Sequence, residues 1–252
     1  MRSDYPAFYQ IPQLRSLWKE AFGDTDEFLD GFFAHGFDSK RCRCITEADR
    51  VVSVLYWFEV TYRNQRFAYL YAVATALSHR GKGLFAVLLE ETKQVLTEAG
   101  FDGILLVPEN EALCRMYEKF GFSACTTVET CRVPAGETAA EVREIGPETF
   151  AAQRRAMLPE GGVLQEGDTL RFLASQYHFW AGTGWLAVGQ VYDGKLVCQE
   201  FLGDRSVIAD LVRALGASVG VVRMPGNATP FAWFLPLRSD CDRPMYFALA
   251  LD

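Results

Sequence analysis

Residues 78–85 read SHRGKGLF. Two glycines, Gly81 and Gly83, and two cations, Arg80 and Lys82, stand directly before an apolar helical pattern. Upstream, FAYLYAVAT (67–75) has the aromatic and apolar content of a strand. Downstream, Leu84, Leu88, Val95 and Ala99 share one helical stripe, with Phe85, Leu89 and Leu96 beside it. Glu90, Glu91, Lys93, Gln94 and Glu98 hold the other side, and Gly100 is placed to end the helix. The unit is therefore strand, glycine turn, helix. Glycines there let a ligand approach the backbone, and the first N–H groups of a helix carry partial positive charge. Together they suit a phosphate. The spacing fits neither a P-loop nor a full dinucleotide fingerprint. On these residues alone an exposed basic turn and an anion cradle are both open.

The context widens outward from that turn. Leu14, Leu17, Trp18 and Phe22 predict a helix that Gly23 can stop, and DTDEFLDGFFAHGF (24–37) predicts a second, capped by Asp24 or Thr25. Three strand-like runs follow, 42–46, 51–60 and 67–75, joined by polar turns as an antiparallel meander. After the central helix come a buried strand (101–108), a short helix (110–120) with Asn110 as N-cap and Gly121 beyond its end, and a last strand (122–133). Residues 134–149 are polar and mark a boundary, so two domains are expected, 1–135 and 136–252. The second half predicts helices near 147–158, 168–180 and 204–216. It also predicts strands at 184–194, 195–203 and 218–225, and two terminal strands, FAWFLPL and MYFALALD. It repeats the strand–helix–strand order without a glycine-rich turn, having Asp204, Arg205 and Ser206 there instead.

Composition narrows the function classes. The 252 residues are 50% hydrophobic with a net charge of −7, which weighs against a nucleic-acid binder. No run is long enough to span a membrane, and no signal peptide is expected. Seven cysteines with no C-x-x-C pair suggest reduced thiols in a cytoplasmic protein, and no metal site is expected.

The stretch YAVATALSHRGKGLFAVLLEE, followed by a strand and NEALCRMYEKFGF, resembles the GCN5-related N-acetyltransferase (GNAT) family over about residues 11–133. Arg80, Gly81, Lys82, Gly83 and Leu84 fit the first five positions of that family's pyrophosphate turn, Q/R-x-x-G-x-G/A. Phe85 replaces the small sixth residue. Asn110, Tyr117 and Gly121–Phe122 fit the second motif. The VAT of 73–75 with an arginine seven residues after Val73 is similar to the enhanced-intracellular-survival type, whose second domain is a degenerate GNAT-like one. That type's third, sterol-carrier-like domain would not fit in this length.

The resemblance implies an α/β (α+β) GNAT fold: a mixed, mostly antiparallel sheet flanked by helices, with a second degenerate GNAT-like domain for acceptor recognition or dimerisation. It implies an acetyl-CoA-dependent N-acetyltransferase acting on a small-molecule or peptide amine. The alternative is a CoA-binding or sensor module without catalysis. Acetyl-CoA would pair with backbone near Val73, Ala74 and Thr75, rest its pyrophosphate on Arg80 to Phe85, and meet Asn110. Tyr117 would be the acid for the departing thiolate, although Leu113, Met116, Tyr117 and Phe120 also form one apolar stripe and core packing stands beside that reading. The base is open among Glu59, Glu109, a water chain and, as in the enhanced-intracellular-survival type, the C-terminus at Asp252. His79 is given no ligand contact. Tyr56, Trp57, Phe58, Tyr69 and Tyr71 would flank the acceptor cleft in part, and residues 176–185 would add an aromatic wall. A homo-oligomer is compatible with all of this.

Overall fold

The computed structural model describes residues 2–251. Its strands form two seven-stranded sheets, and both follow one plan. In the first, β1 (Ser3–Asp4), β2 (Cys42–Glu47), β3 (Arg50–Tyr62) and β4 (Gln65–Thr75) run antiparallel. Helix α1 (Ile11–Phe22) and helix α2 (Asp26–Gly31) lie between β1 and β2 in sequence. Helix α3 (Leu84–Glu98) then crosses to β5 (Gly103–Leu106), which is parallel to β4. In the chain α4 (Glu111–Glu118), β6 (Ser123–Ala124) and β7 (Thr127–Pro134) follow.

The second half contributes β8 (Arg143–Glu144), α5 (Pro147–Met157), α6 (Asp168–Ala174), β9 (His178–Gly182), β10 (Trp185–Tyr192) and β11 (Lys195–Gly203). It continues with α7 (Ile208–Ala214), β12 (Val219–Pro225), β13 (Thr229–Pro230) and β14 (Trp233–Pro236). Here β11 and β12 are the parallel pair, joined by α7 as β4 and β5 are joined by α3. No helix among the described residues is long and apolar enough to cross a membrane.

The sheets exchange strands. β7 does not close the first sheet; it lies antiparallel to β12 in the second, with β13 on its outer edge. In return β14 pairs with β5 in the first sheet and carries β6 on its edge. The run 122–133, expected as one strand, is thus two strands in different sheets, and FAWFLPL serves the first sheet. Two further expectations fail. The helix at 168–180 stops at Ala174, where Ser175 Oγ donates to Phe172 O at 2.7 Å, and the aromatic residues after it enter β9. The terminal run MYFALALD is not a strand through Leu251, and its last residue, Asp252, lies outside the described residues. Residues 246–251 are buried without a ladder, and only Tyr246 makes an isolated bridge, to Gly162.

Strand alternation divides the core. On β3, Val54, Tyr56, Phe58 and Val60 face α1, α6 and the second half, while Leu55 and Trp57 face α3. Leu88, Leu89 and Leu96 of α3 are fully buried on that second face. Replacing any of them by alanine costs about 2–5 kcal/mol. A third cluster lies beneath α7. The first cluster takes residues from both halves, including Phe172, Phe179, Leu202 and Leu249, so the two sheets share one interior.

Candidate active site

The site begins where two parallel strands part. β4 and β5 are paired only as far as Tyr69 opposite Leu105. β4 then runs on to Thr75 while the chain after β5 turns through Val107 and Pro108. On its other side β4 is bulged: Val54 pairs with Ala74 but Tyr56 with Tyr71. Ala72 sits at φ 51°, in the left-handed region, and Ala72 and Val73 together oppose Leu55. A non-glycine residue there carries about 1–2 kcal/mol of strain. The bulge leaves Ala72 and Val73 without one-to-one partners on β3, and both line the opening.

That opening is a cavity of about 450 Å³ that passes through the sheet. Leu70, Val73, Leu106, Leu113 and Tyr117 line it on the α3–α4 side. Trp18, Phe28, Tyr69, Tyr71 and Leu251 line it on the opposite side. Among the described residues, Asp24 and Glu109 are the only ionisable acids or bases lining it apart from tyrosines. Tyr117 is 7% exposed, and burial pushes its phenol up to about 12. Its ring meets Phe85 and Phe122 edge-on at 5.7 and 5.6 Å.

The glycine turn follows β4 in the chain, just before α3. Gly81 and Gly83 have φ 75° and 76°, and a Cβ added at either would meet nothing within 4 Å. Glycine is required there by backbone conformation, and the outer face of the turn is open. No side chain caps α3. The N–H groups ahead of Val87, whose amide donates to Gly83 O at 3.3 Å, face outward. Lys82 is exposed and Arg80 Nε reaches back to Thr75 O at 3.1 Å. Phe85 does not close the turn: its ring packs on Tyr117 and, at 5.0 Å, on Phe120 of the α4 end. The corresponding turn of the second half is filled by its own carboxylate, since Asp204 Oδ1 accepts from Ser206 N at 2.9 Å. The start of α3 thus carries no carboxylate, whereas the turn leading to α7 does.

The remaining candidates sort by geometry. Val73 lines the cavity; Ala74 and Thr75 lie beyond it, paired with Val54 and Ser53. Asn110 Oδ1 accepts from Leu113 N at 3.1 Å, the N-cap of α4. Glu59 is held by Arg66 through bonds of 2.8 and 2.9 Å, which keep its carboxyl below the usual range, and it is not in the cavity wall. It is not placed to act as a base. His79 is engaged, with Nε2 2.6 Å from Glu47 Oε2 and Nδ1 2.8 Å from Ser78 Oγ. Of the flanking aromatics Tyr69 and Tyr71 line the cavity, while Tyr56, Trp57 and Phe58 are core. Residues 176–185 do not form its wall: Phe179 packs in the interior the two sheets share, and Trp180 and Trp185 pack in the cluster beneath α7.

The second half reaches the cavity by its tail instead. Val163 N donates to Tyr246 O, Gln165 Nε2 to Leu249 O at 2.6 Å, Arg223 Nη1 to Ala248 O at 3.1 Å, and Leu251 N to Tyr69 Oη at 3.2 Å. Tyr246 Oη donates to Glu200 Oε1 at 3.0 Å, and Glu200 is bound by Arg154 through two bonds of 2.6 and 2.9 Å in a fully buried pair. The tail is thus fixed as far as Leu251, in the cavity wall. Asp252 lies outside the described residues. Sequence reasoning missed Asp24 as a cavity residue. Its position after the helix-ending Gly23, which turns it back onto Trp18 six residues earlier, was the available signal.

Residues 9–125 match the family model of the acetyltransferase (GNAT) domain. No curated protein sequence matches the chain. Among solved structures, a GCN5-related N-acetyltransferase from Kribbella flavida is 14% identical, with a TM-score of 0.70 over 92% of this chain and 70% of its own. Eis1 from Mycobacterium abscessus is 11% identical, with a TM-score of 0.68 over 94% and 74%. A tandem GNAT protein from the clavulanic acid biosynthesis pathway is 8% identical, with a TM-score of 0.58 over 92% and 96%. At these identities the likeness is one of fold. Residues 9–125 are thus similar to the GNAT acetyltransferase domain, and over nine-tenths of the chain shares its two-lobed fold with a tandem GNAT protein.

Proposed function

We propose that this protein transfers the acetyl group of acetyl-CoA to a primary amine. One observation carries the reading: the bulged end of β4 and Tyr117 line one cavity, and β4 leads within a few residues into the open glycine turn that starts α3. The pantetheine arm would lie along β4 at Val73, Ala74 and Thr75, with the pyrophosphate on the amides of Arg80 to Phe85. The Asn110 amide lies at the start of α4, on the same side. Gly81 and Gly83 fit this role because the space beside each is open.

In this mechanism the neutral amine attacks the thioester carbonyl, forming the C–N bond, and the oxyanion is stabilised by backbone N–H near Val73. The C–S bond then breaks. Tyr117, protonated at neutral pH, donates a hydrogen bond to the departing sulfur. The proton lost by the amine passes to a carboxylate and returns to the thiolate, so that amide and CoA thiol leave. The proposed base is Asp252, the residue that follows Leu251 in sequence, with Glu109, a carboxylate of the cavity wall, as the alternative. Residues 1–135 would bind acetyl-CoA, and residues 136–252 would complete the acceptor side through the tail.

The test is thiol release from acetyl-CoA with a panel of primary amines, alongside calorimetric binding of CoA. Turnover with at least one amine, lost on Tyr117→Phe more than CoA affinity, is the expected result. CoA binding without turnover on any amine would leave the non-catalytic CoA-binding module. Absence of CoA binding at millimolar ligand would remove both.

A further inference from the structure

Resting on that transfer reading, we infer the class of acceptor: a compact primary amine with an apolar or aromatic body, captured as its ammonium at Asp24 and giving up that proton to solvent water before the neutral amine attacks. The far side of the cleft differs in kind from the cofactor side. Phe22, Trp18 and Tyr71 form a row of edge-on rings, with centroids 5.6 Å apart at each step and interplanar angles of 65° and 64°. Phe28 stands beside Trp18 at 6.2 Å, and Phe22 is 46% exposed at the rim.

Charge within this wall has one sign. Among the described residues, Asp24 and Glu109 line the cavity and no lysine, arginine or histidine does. Asp24 is also oriented, because Trp18 Nε1 donates to its Oδ2 at 2.8 Å. That leaves Oδ1 for a cationic ligand, beside ring faces that themselves attract a cation. The nearby acids of α2 are differently placed: Asp26 is paired with Lys19, and Asp30 with Arg15 at 2.6 Å. Neither lines the cavity.

Size and polarity exclude the other amine classes. About 450 Å³ must hold the acetyl end of the cofactor as well as the acceptor, so the acceptor's body is small. An amino sugar would bring several hydroxyls against Trp18, Phe22, Phe28 and Leu251, which offer them little, and buried unpaired hydroxyls are costly. A polyamine would have to desolvate further ammonium groups in a wall whose described residues offer two carboxylates, Asp24 and Glu109. A phenyl or short alkyl body instead exchanges water for ring contacts.

The experiment compares phenethylamine, hexylamine, spermidine and glucosamine in the thiol-release assay, and phenethylamine with phenethyl alcohol by calorimetry in the presence of CoA, where no transfer occurs. Expected are kcat/KM values for phenethylamine and hexylamine at least about tenfold above those for spermidine and glucosamine, the gap set by unpaired polar groups in the poorer acceptors. Asp24→Asn should raise the KM for phenethylamine about tenfold with kcat little changed, and should erase the preference for amine over alcohol in binding. Turnover that favours glucosamine or spermidine, or an Asp24→Asn protein that keeps the amine-over-alcohol preference, overturns the acceptor class while leaving acetyl transfer standing. Amine-selective binding that depends on Asp24, without turnover of any amine, supports the pocket chemistry and removes the transfer reading.

Discussion

Tyr117→Phe deletes one oxygen from a ring whose packing is otherwise kept. Burial holds the phenol at about 12, against about 8.5 for an ordinary thiol. Full proton transfer to a thiolate is therefore uphill by about 3.5 units, or about 5 kcal/mol. The useful interaction is a hydrogen bond to the forming thiolate, and bonds to charged groups contribute about 1.5–3 kcal/mol. The expected loss in kcat is about 10- to 150-fold, at the low end of what general acids provide. The KM for acetyl-CoA should move little, since the ground-state thioester sulfur is a poor acceptor. Stability gives a second, independent readout. A group whose folded pKa is raised contributes its stability below the unfolded value and loses it as pH climbs to the folded one. The wild-type fold should lose up to about 2.7 kcal/mol from this tyrosine between pH 10 and pH 12, and Tyr117→Phe should lose that much less. Single-turnover rates with saturating amine and denaturant melts across that pH window make both measurements. A kcat within threefold of wild type, in a protein with the altered alkaline stability, would leave Tyr117 as a core aromatic and refute its role at the sulfur.

Glu200→Gln removes one partner of the fully buried Arg154 pair and should cost about 3–5 kcal/mol. At about 2–4 °C per kcal/mol for a chain of this size, that is a fall of roughly 6–20 °C in Tm by calorimetry. Arg154→Met with Glu200→Leu should recover most of it, because no charge is then left unpaired. Gly83→Ala meets no steric obstacle but forces alanine to φ 76°, so about 1 kcal/mol of strain will pull the turn out of shape. The KM for acetyl-CoA should rise about tenfold with kcat at saturation retained; an unchanged KM would mean that the turn carries no pyrophosphate.

What could be read from the sequence was whatever is local. The Gly81–Gly83 turn, the Asn110 cap of α4 and the period change into α3 each depend on neighbours within one helical turn, and each is where the spacing put it. Partner choice is not local. In β7, Val128 is buried while Glu129, Thr130, Cys131 and Arg132 are not, a half-covered pattern that suits either sheet equally. The tail was misread for a related reason. FALAL is apolar like a strand, but Gln165, Arg223 and Tyr69 satisfy its backbone instead of a ladder, and those side chains lie far away in sequence. Asp24 was hidden because its role depends on Trp18 and on a cavity made by two strands parting.

The exchange of β7 and β14 has a consequence for the boundary near residue 135. A fragment of residues 1–135 retains the glycine turn, Tyr117 and the whole of β5, yet lacks the strand that pairs with β5. Trp233, Phe234 and Leu235 would be missing from opposite Leu106, Leu105 and Ile104, and β6 would lose its only strand partner among the described residues. Phe234 also packs on Phe67 at 5.1 Å. The fragment would expose a flat, apolar edge beside an opened core, which favours aggregation over folding. It would also present β7 with nothing to pair. We expect this fragment to be insoluble or molten by circular dichroism and not to bind CoA. Co-expression with residues 136–252 should restore a soluble complex, since each half supplies the strand the other lacks. A 1–135 fragment that melts cooperatively and binds CoA on its own would show that the exchanged strands are incidental to the first lobe.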